Sequence, residues 1–160
     1  MNTTLVIYHS ADLDGICSRE VARKALGESA DLLGWDYGRD VPDFTPYETV
    51  YLIDISLPRE VMVKNASKLI WIDHHVSKMR ELEGVFIRGY RIDGVAACRL
   101  AWQYFEWEKL SDPRPLYPDK QDYVDHKVSE PYAVQLLGEF DIWDKRNPDV
   151  DLFQLGINVQ

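Results

Sequence analysis

Short apolar runs alternate with amphipathic stretches along most of the chain. The apolar runs are rich in β-branched and aromatic residues, which favours buried strands. Strands are predicted at residues 4–8, 31–37, 49–53, 68–72 and 85–87. Between them, apolar positions recur at helical spacing and predict helices at residues 16–26, from 58 to about 66, from 94 onward, and from 130 to about 140.

The remaining stretches are rich in proline or have no clear pattern. Residues 38–48 contain Pro42 and Pro46, and residues 111–120 contain three prolines, so both are predicted to be irregular. A further element is expected within residues 149–160. Strands that alternate with helices indicate an α/β domain of three layers, in which a mostly parallel sheet carries helices on both faces. A single domain over residues 1–160 is expected.

The composition narrows the class of protein. The chain has 160 residues, 46% of them hydrophobic, with 27 acidic and 18 basic residues and a net charge of −9. This apolar content argues against disorder, and the acidic balance argues against binding duplex nucleic acid through its phosphates. No apolar run approaches the roughly 20 residues that span a bilayer, and the first residues lack a basic segment. A cytoplasmic protein without a membrane partner is expected, with Cys17 and Cys98 as buried free thiols.

Acidic residues follow three of the predicted strands. Asp12, Asp14 and Gly15 come just after the first strand, Asp54 after the third, and the D-H-H tripeptide at 73–75 after the fourth. In a parallel sheet the carboxyl ends of the strands meet at one edge, where ligands bind. Each acid also has a structural explanation, since the first pair suits a helix N-terminus and Asp54 is placed to cap the next helix.

A fourth acidic segment, residues 139–144, places Asp141 between large apolar residues. This pattern predicts either a partly buried carboxylate or a helix end whose aromatic residues pack while the acids face water. Two carboxylates separated by one residue, as in Asp12 and Asp14, offer hard oxygen ligands. Imidazole next to carboxylate, as in residues 73–75, suits Mn²⁺, Zn²⁺ or Fe²⁺ better than Ca²⁺. The four segments together indicate a metal site.

The order strand–DxDG–helix, strand–D, strand–DHH and a late Asp resembles the DHH phosphoesterase superfamily. The resemblance extends from Leu5 to about Leu155, and the DHH tripeptide with an upstream DxD is its most specific part. Members include RecJ-type exonucleases, nanoRNA and phosphoadenosine-phosphate hydrolases, cyclic-dinucleotide phosphodiesterases and family II pyrophosphatases. The resemblance implies a DHH-like three-layer fold and a hydrolase that acts on phosphoric esters.

The resemblance also implies roles for individual residues. The expected ligands of a two-ion site, usually Mn²⁺ with Mg²⁺ as an alternative, are Asp12, Asp14, Asp54, His74 and Asp141. Asp54 would bridge both ions. His9 stands three residues before Asp12, one residue closer than in pyrophosphatase and nanoRNase members, so its inclusion among the ligands is left open.

Further groups are expected beside the ions. Asp73 and His75 would take part in catalysis, with His75 touching the substrate phosphate. Gly94, Arg91 and Arg88 would hold that phosphate through helix amides and guanidinium groups. For either arginine taken singly, a solvated surface is the favoured explanation.

The implied activity is hydrolysis of a phosphodiester or phosphomonoester in a small nucleotide or a short single-stranded oligonucleotide. A hydroxide activated by two metal ions would attack phosphorus. The Gly-rich, His-containing motif of the family's usual C-terminal substrate-binding domain does not occur in this chain. A domain without that companion is therefore expected, as a catalytic fragment, as a short stand-alone version or as a domain whose activity has been lost. A homo-oligomer is left open.

Three other functions are also consistent with these residues. The D-L-D-G sequence at 12–15 resembles haloacid-dehalogenase-type phosphatases, where Asp12 would be the nucleophile and Asp14 the general acid. An early acidic pair followed by Asp54 matches the spacing of response-regulator receivers. A metal-binding interaction module without turnover is the third. The number of bound ions discriminates, because two tight transition-metal ions are expected for the DHH-like site and one weak Mg²⁺ for the first two alternatives.

Overall fold

Four parallel strands form the sheet at the centre of the protein. The computed structural model of the chain describes residues 2–107 and 118–158. The strands are β1 (Thr4–His9), β2 (Ala30–Trp35), β3 (Thr49–Ile53) and β4 (Leu69–Ile72). Their order in the sheet is β2-β1-β3-β4, and every pair is parallel. The predicted parallel sheet is confirmed, and four of the five predicted strands lie within two residues of their expected ends.

Helices follow β1, β3 and β4, whereas β2 leads to β3 without a helix. The helices are α1 (Leu13–Leu26), α2 (Arg59–Asn65), α3 (Val76–Glu81), α4 (Ala97–Trp107), α5 (Lys120–Asp125), α6 (Tyr132–Asp141) and α7 (Asp149–Asn158). Over the described ranges, no helix combines the length and apolar character that crossing a membrane requires. The further element expected in the C-terminal segment is α7.

The sheet separates two apolar cores, because successive side chains of a strand point to opposite faces. On one face, Tyr51 and Ile53 pack in a cluster with residues of α1, α4 and α6. On the other face, Val50 and Leu52 pack with residues of α2 and with Leu82 at the end of α3. The predicted three-layer α/β fold is therefore confirmed. Cys17 and Cys98, on α1 and α4, are free and buried within the described structure, as predicted.

The predicted strand at residues 85–87 is wrong. The chain instead runs beside β4 a few residues later, with isolated parallel bridges that pair Ile70 with Arg88 and Asp73 with Arg91. Gly89 interrupts the ladder between these bridges, because its φ is +120°. A Cβ at this position would lie 2.1 Å from the carbonyl oxygen of Trp71, so the backbone passes too close to β4 for any other residue.

Some predicted helix positions also need correction. The helix expected from Gly94 begins at Ala97, since Gly94 has a φ of +74° that an α-helix does not contain. The helix α3, directly after the D-H-H tripeptide, was not predicted. Of the segment 111–120 that was expected to be irregular, residues 111–117 lie outside the described residues, and Lys120 begins α5.

The turn between β1 and α1 depends on Gly15. A Cβ at this residue would lie 1.9 Å from the carbonyl oxygen of His9. Only glycine therefore allows the start of α1 to approach the end of β1 so closely. This approach brings the Asp12–Asp14 pair next to His9, at the carboxyl edge of the sheet.

We predict that Gly15→Ala destabilises the protein by about 2 kcal/mol or more, because the added methyl group forces the turn away from β1. The matched control is Gly156→Ala in α7, where no described atom lies within 4 Å of the added Cβ. Alanine is the better helix former, so the control is expected to be neutral or to stabilise the protein by up to about 1 kcal/mol. Urea unfolding midpoints measure both effects. Equal midpoints for the two variants would contradict this account of the turn.

Candidate metal centre

The acids and histidines predicted to meet at one edge of the sheet do meet there. The acids and histidines form three overlapping groups of three residues. Within each group, the possible ligand atoms lie within 4.8 Å of one another. The groups are His9–Asp12–Asp54, Asp14–His74–Asp141 and Asp54–His74–His75. They come from the ends of β1, β3 and β4, from the start of α1 and from the end of α6. The structure therefore brings together all of the metal ligands that were expected from the sequence, including His9.

Asp54 lies at the centre of this arrangement. Its side chain is 1% exposed, and neither carboxylate oxygen accepts a hydrogen bond from any residue that the structure describes. Its φ is +61°, an unusual value for a residue other than glycine. The alternative that Asp54 caps the following helix is wrong, because α2 begins after Pro58 without a described side-chain cap. A buried carboxylate without hydrogen bonds is costly unless a cation faces it.

The first group of donors surrounds one oxygen of Asp54. The Nδ1 atom of His9 lies 2.8 Å from Asp12 Oδ2 and 3.4 Å from Asp54 Oδ2. Despite these distances, this nitrogen has no partner with hydrogen-bond geometry in the described part of the chain. The other oxygen of Asp12 accepts a hydrogen bond from the Gly15 amide and caps α1. Asp12 is thus both a helix cap and a member of the cluster.

The second group surrounds a single nitrogen of His74. Its Nε2 atom lies 3.6 Å from Asp14 Oδ2, 3.5 Å from Asp54 Oδ1 and 3.4 Å from Asp141 Oδ2. Donor atoms that share an ion at about 2.1 Å lie roughly 3.0–3.5 Å from one another. The separations around His74 are close to this range. The donor set fits a divalent ion at this place, with Asp54 common to both groups.

Asp14 also connects the cluster to the fold. Its buried side chain accepts hydrogen bonds of 2.8 Å from the amides of Ala97 and Cys98, at the start of α4. Burial raises the pKa of Asp14 to about 7, and the nearby Asp54 and Asp141 carboxylates act in the same direction. The first amides of α4 are therefore bound to a side chain of the protein. The expectation that they hold a phosphate needs correction.

The other phosphate ligands expected from the sequence have structural roles or lie outside the helix. The guanidinium group of Arg91 donates hydrogen bonds to the carbonyl oxygens of Ile87, Arg88 and Trp71 at 2.7, 3.3 and 3.0 Å. These bonds hold residues 87–91 against β4. Arg88 is exposed on the same segment, and Gly94 precedes α4 by three residues. The role of these three residues in phosphate binding stays a prediction.

The carboxylate of Asp73 contacts the backbone and the imidazole of His75. One of its oxygens accepts hydrogen bonds from the amides of His74 and His75 and lies 2.7 Å from His75 Nδ1. The other oxygen accepts a hydrogen bond from the indole of Trp71. Because Asp73 is fully buried and both oxygens are bonded, it positions the histidine. The imidazole of His75 is 41% exposed, and its Nδ1 atom lies 3.8 Å from Asp54 Oδ1 at the edge of the cluster.

Sequence reasoning missed Asp36, which follows β2. Its Oδ1 atom lies 3.2 Å from His9 Nε2 and accepts a hydrogen bond from the Tyr37 amide. A carboxylate bonded to the outer nitrogen of a histidine leaves the inner nitrogen for a metal. The same pattern that drew attention to Asp54 and Asp73, an acid directly after a strand, is present at Asp36.

Two basic residues near the histidines were also missed. Arg39 and Lys78 line a pocket of about 430 Å³ together with Tyr37 and Ser56. The ring of Tyr37 lies 6.1 Å from the ring of His9, and Lys78 Nζ lies 5.4 Å from the centre of the Tyr37 ring. The pocket therefore lies next to the cluster and is lined by two basic side chains, of which Lys78 also pairs with Glu81 at 3.0 Å.

Protonated histidines partly balance the negative charge of the cluster. Contact with Asp54 is the main cause that raises the pKa of His9 to about 9, against the smaller opposite effect of burial. Burial lowers the pKa of His74, but Asp54, Asp14 and Asp141 outweigh it and raise the value to about 9. A cluster that holds protons this tightly also attracts metal cations, which compete for the same atoms.

Comparison of the chain with known protein families, with curated proteins and with solved structures gives no match. The chemistry of the protein is therefore inferred from the cluster itself. Its donor atoms, their spacing and the lack of hydrogen bonds at Asp54 among the described residues all fit a centre for metal ions.

The two histidines predict how the metal-free protein responds to pH. Each has a folded-state pKa of about 9 against 6.5 when unperturbed, so their contribution to stability is complete below pH 6.5. It is lost as the pH rises through 9, with a slope of at most about 1.4 kcal/mol per pH unit for each histidine. Asp14, with its pKa raised to about 7, acts in the same direction. Urea unfolding in a chelator at pH 6.5, 8 and 9.5 measures the loss.

The matched control is His126→Gln, which replaces an exposed histidine outside the cluster and is expected to keep the slope. The double variant His9→Gln, His74→Gln is expected to flatten it. A metal-free wild type whose stability stays constant or rises from pH 6.5 to 9.5 would show that these imidazoles are not charged in the folded protein.

Proposed function

We propose that this protein is a metal-dependent phosphoesterase, a member of the DHH superfamily that it resembles. Its substrate is a phosphodiester or phosphomonoester of a small nucleotide or a short single-stranded oligonucleotide. The observation that carries the proposal is Asp54, a buried carboxylate without described hydrogen bonds that two groups of donors share. A carboxylate shared between two donor sets can hold two ions close to one another, as two-ion catalysis needs.

Each ion has its own set of donors in this proposal. His9, Asp12 and Asp54 would hold the first ion, and Asp14, Asp54, His74 and Asp141 would hold the second. Mixed imidazole and carboxylate donors suit Mn²⁺, and also Zn²⁺ or Fe²⁺. When bound, a pair of such ions supplies an activated water and stabilises charge on the attacking and leaving oxygens.

The protein's own residues orient and bind the substrate. Asp36 fixes His9 through its outer nitrogen, and Asp73 fixes His75 through Nδ1. His75 Nε2 then faces the substrate, where it donates a hydrogen bond to a phosphate oxygen. The pKa of His75 is raised, mainly by its bond to Asp73, which favours this donor form. Arg39 and Lys78, in the adjoining pocket, attract a further phosphate.

The first two alternative functions fit the site less well. A haloacid-dehalogenase-type mechanism needs Asp14 as a general acid that reaches the substrate, but its carboxylate is buried and bonded to two amides of α4. A receiver domain needs an accessible acid to accept a phosphoryl group, and Asp54 is only 1% exposed. The third alternative, a metal-binding module without turnover, is decided by the experiment.

We predict that the metal-free protein binds close to two Mn²⁺ ions and then hydrolyses bis(p-nitrophenyl) phosphate. Asp54→Asn removes the shared negative charge, so it is expected to lower the stoichiometry to one ion or none. Hydrolysis is expected to fall by more than about 100-fold. This loss is larger than the loss caused by removing a residue that only hydrogen-bonds to a metal ligand. Calorimetry counts the ions, and the absorbance of nitrophenolate measures hydrolysis.

The matched control is Asp40→Asn, an exposed acid near the same edge, which is expected to keep both ions and full activity. One weak site in the wild type would contradict the two-ion centre. Two tight ions without hydrolysis of this ester or of the dinucleotide pApA would instead favour the non-catalytic metal-binding module.

Substitution of Asp36 is expected to have a smaller effect on Mn²⁺ binding and hydrolysis than substitution of Asp54. Asp36→Asn keeps the shape of the side chain but removes the charge that holds His9 Nε2. Mn²⁺ affinity or activity is expected to fall by about 10- to 100-fold with the ion count unchanged at saturation. Wild-type affinity and activity in Asp36→Asn would mean that Asp36 does not support a metal ligand.

A further inference from the structure

Trp143 occupies a backbone position that normally belongs to glycine. Its φ is +57°. In the described ranges, Asp54 and Trp143 are the only residues other than glycine that have a positive φ. The amide of Asp144 donates to the Glu139 carbonyl, and the amide of Trp143 donates to the Phe140 carbonyl. These two bonds form a Schellman motif at the end of α6, in which glycine is preferred where Trp143 stands. A bulky residue is strained there.

Burial of the indole of Trp143 does not offset this strain, because the side chain is 76% exposed. Its ring stacks on Phe140 at 6.2 Å between centroids, and Lys145 Nζ lies 5.0 Å from its centre. Lys145 is itself held by an ion pair with Asp151. These contacts fix the direction of the ring and leave most of its surface accessible. Packing of the ring therefore does not explain why tryptophan stands at this position.

A cavity of about 360 Å³ joins this indole to the proposed metal centre. Its lining includes Asp12, Asp14 and Asp141 of the cluster together with Trp143, Phe140 and Gln154. The Oε1 atom of Gln154 is buried and has no hydrogen-bond partner among the residues that the structure describes. The volume lies at the lower end of the range for small-ligand pockets, about 300–1,000 Å³. The flat ring of Trp143 and the amide oxygen of Gln154, which has no described hydrogen bond, thus line the same cavity as the carboxylates.

We propose that this cavity binds the nucleobase of the substrate, with Trp143 as the stacking surface and Gln154 as the hydrogen-bonding partner of the base edge. This inference rests on the proposed function, since the metal centre holds the phosphate to which the base is joined. A base presents a flat π-face and polar groups at its edge, which match the exposed indole and the amide. A sugar phosphate lacks this flat heteroaromatic group, so the cavity selects nucleotides over sugar phosphates.

The decisive variant is Trp143→Gly. Glycine suits the Schellman position, so the folded protein is expected to be at least as stable as the wild type while the stacking surface is absent. Loss of binding in this variant is therefore not explained by unfolding. Trp143→Phe is expected to keep most of the binding, and Leu152→Ala, which removes an exposed apolar side chain of α7, is the matched control.

The measurement compares 5′-AMP with ribose 5-phosphate, which carries a hydroxyl group in place of the base, by calorimetry on the Mn²⁺-loaded protein. Stacking of one base predicts that 5′-AMP binds roughly 5- to 150-fold more tightly. In Trp143→Gly this ratio is expected to fall to about one, with the affinity for ribose 5-phosphate and the number of Mn²⁺ ions unchanged. Gln154→Ala is expected to change the order of affinity among 5′-AMP, 5′-IMP and 5′-CMP.

Equal affinities for 5′-AMP and ribose 5-phosphate in the wild type would overturn the proposal, as would a preference that survives in Trp143→Gly. Failure to bind either compound would overturn it as well. The ion count and the hydrolysis of bis(p-nitrophenyl) phosphate test the proposed function separately. A protein that binds two ions and hydrolyses this ester without preferring 5′-AMP refutes the base site alone.

Discussion

The site depends on one electrostatic constraint, the burial of Asp54 without a hydrogen bond from the described structure. The carboxylate lies at the end of β3 in a strained backbone conformation, and two sets of donors converge on its two oxygens. Without a metal, the positive charges of protonated His9 and His74 balance this carboxylate. The contact with Asp54 therefore helps to raise the pKa values of both histidines to about 9. Divalent cations at the same place would replace these protons and balance the carboxylates more completely.

The fold and the site share the same residues. Asp14 belongs to the cluster, and its carboxylate also accepts hydrogen bonds from the first two amides of α4. Asp12 caps α1, and Gly15 allows that helix to start against β1. The helices that cover one face of the sheet are therefore anchored by the residues that form the proposed metal centre. This sharing explains how the carboxylates are held in place before any ion binds.

The alternating apolar runs were sufficient to predict the parallel sheet, because the strands 49–53 and 68–72 are buried on both faces. The topology rule then placed Asp12, Asp54 and the D-H-H tripeptide at one edge. What the sequence did not predict depends on partners distant along the chain. The carbonyl groups bonded by Arg91 and the bond from Asp36 to His9 exist only after the strands associate. The exposed, strained Trp143 likewise follows from the bonds that end α6.

The most direct test of the shared carboxylate is the low-temperature electron paramagnetic resonance spectrum of the protein with one and then two equivalents of Mn²⁺. Two ions that share Asp54 are expected to be exchange-coupled, so the simple six-line signal of isolated Mn²⁺ gives way to a broad multiline spectrum at two equivalents. Asp54→Asn is expected to lose the coupled spectrum. A wild-type spectrum that keeps only the isolated six-line signal at two equivalents would contradict a centre in which Asp54 joins two ions.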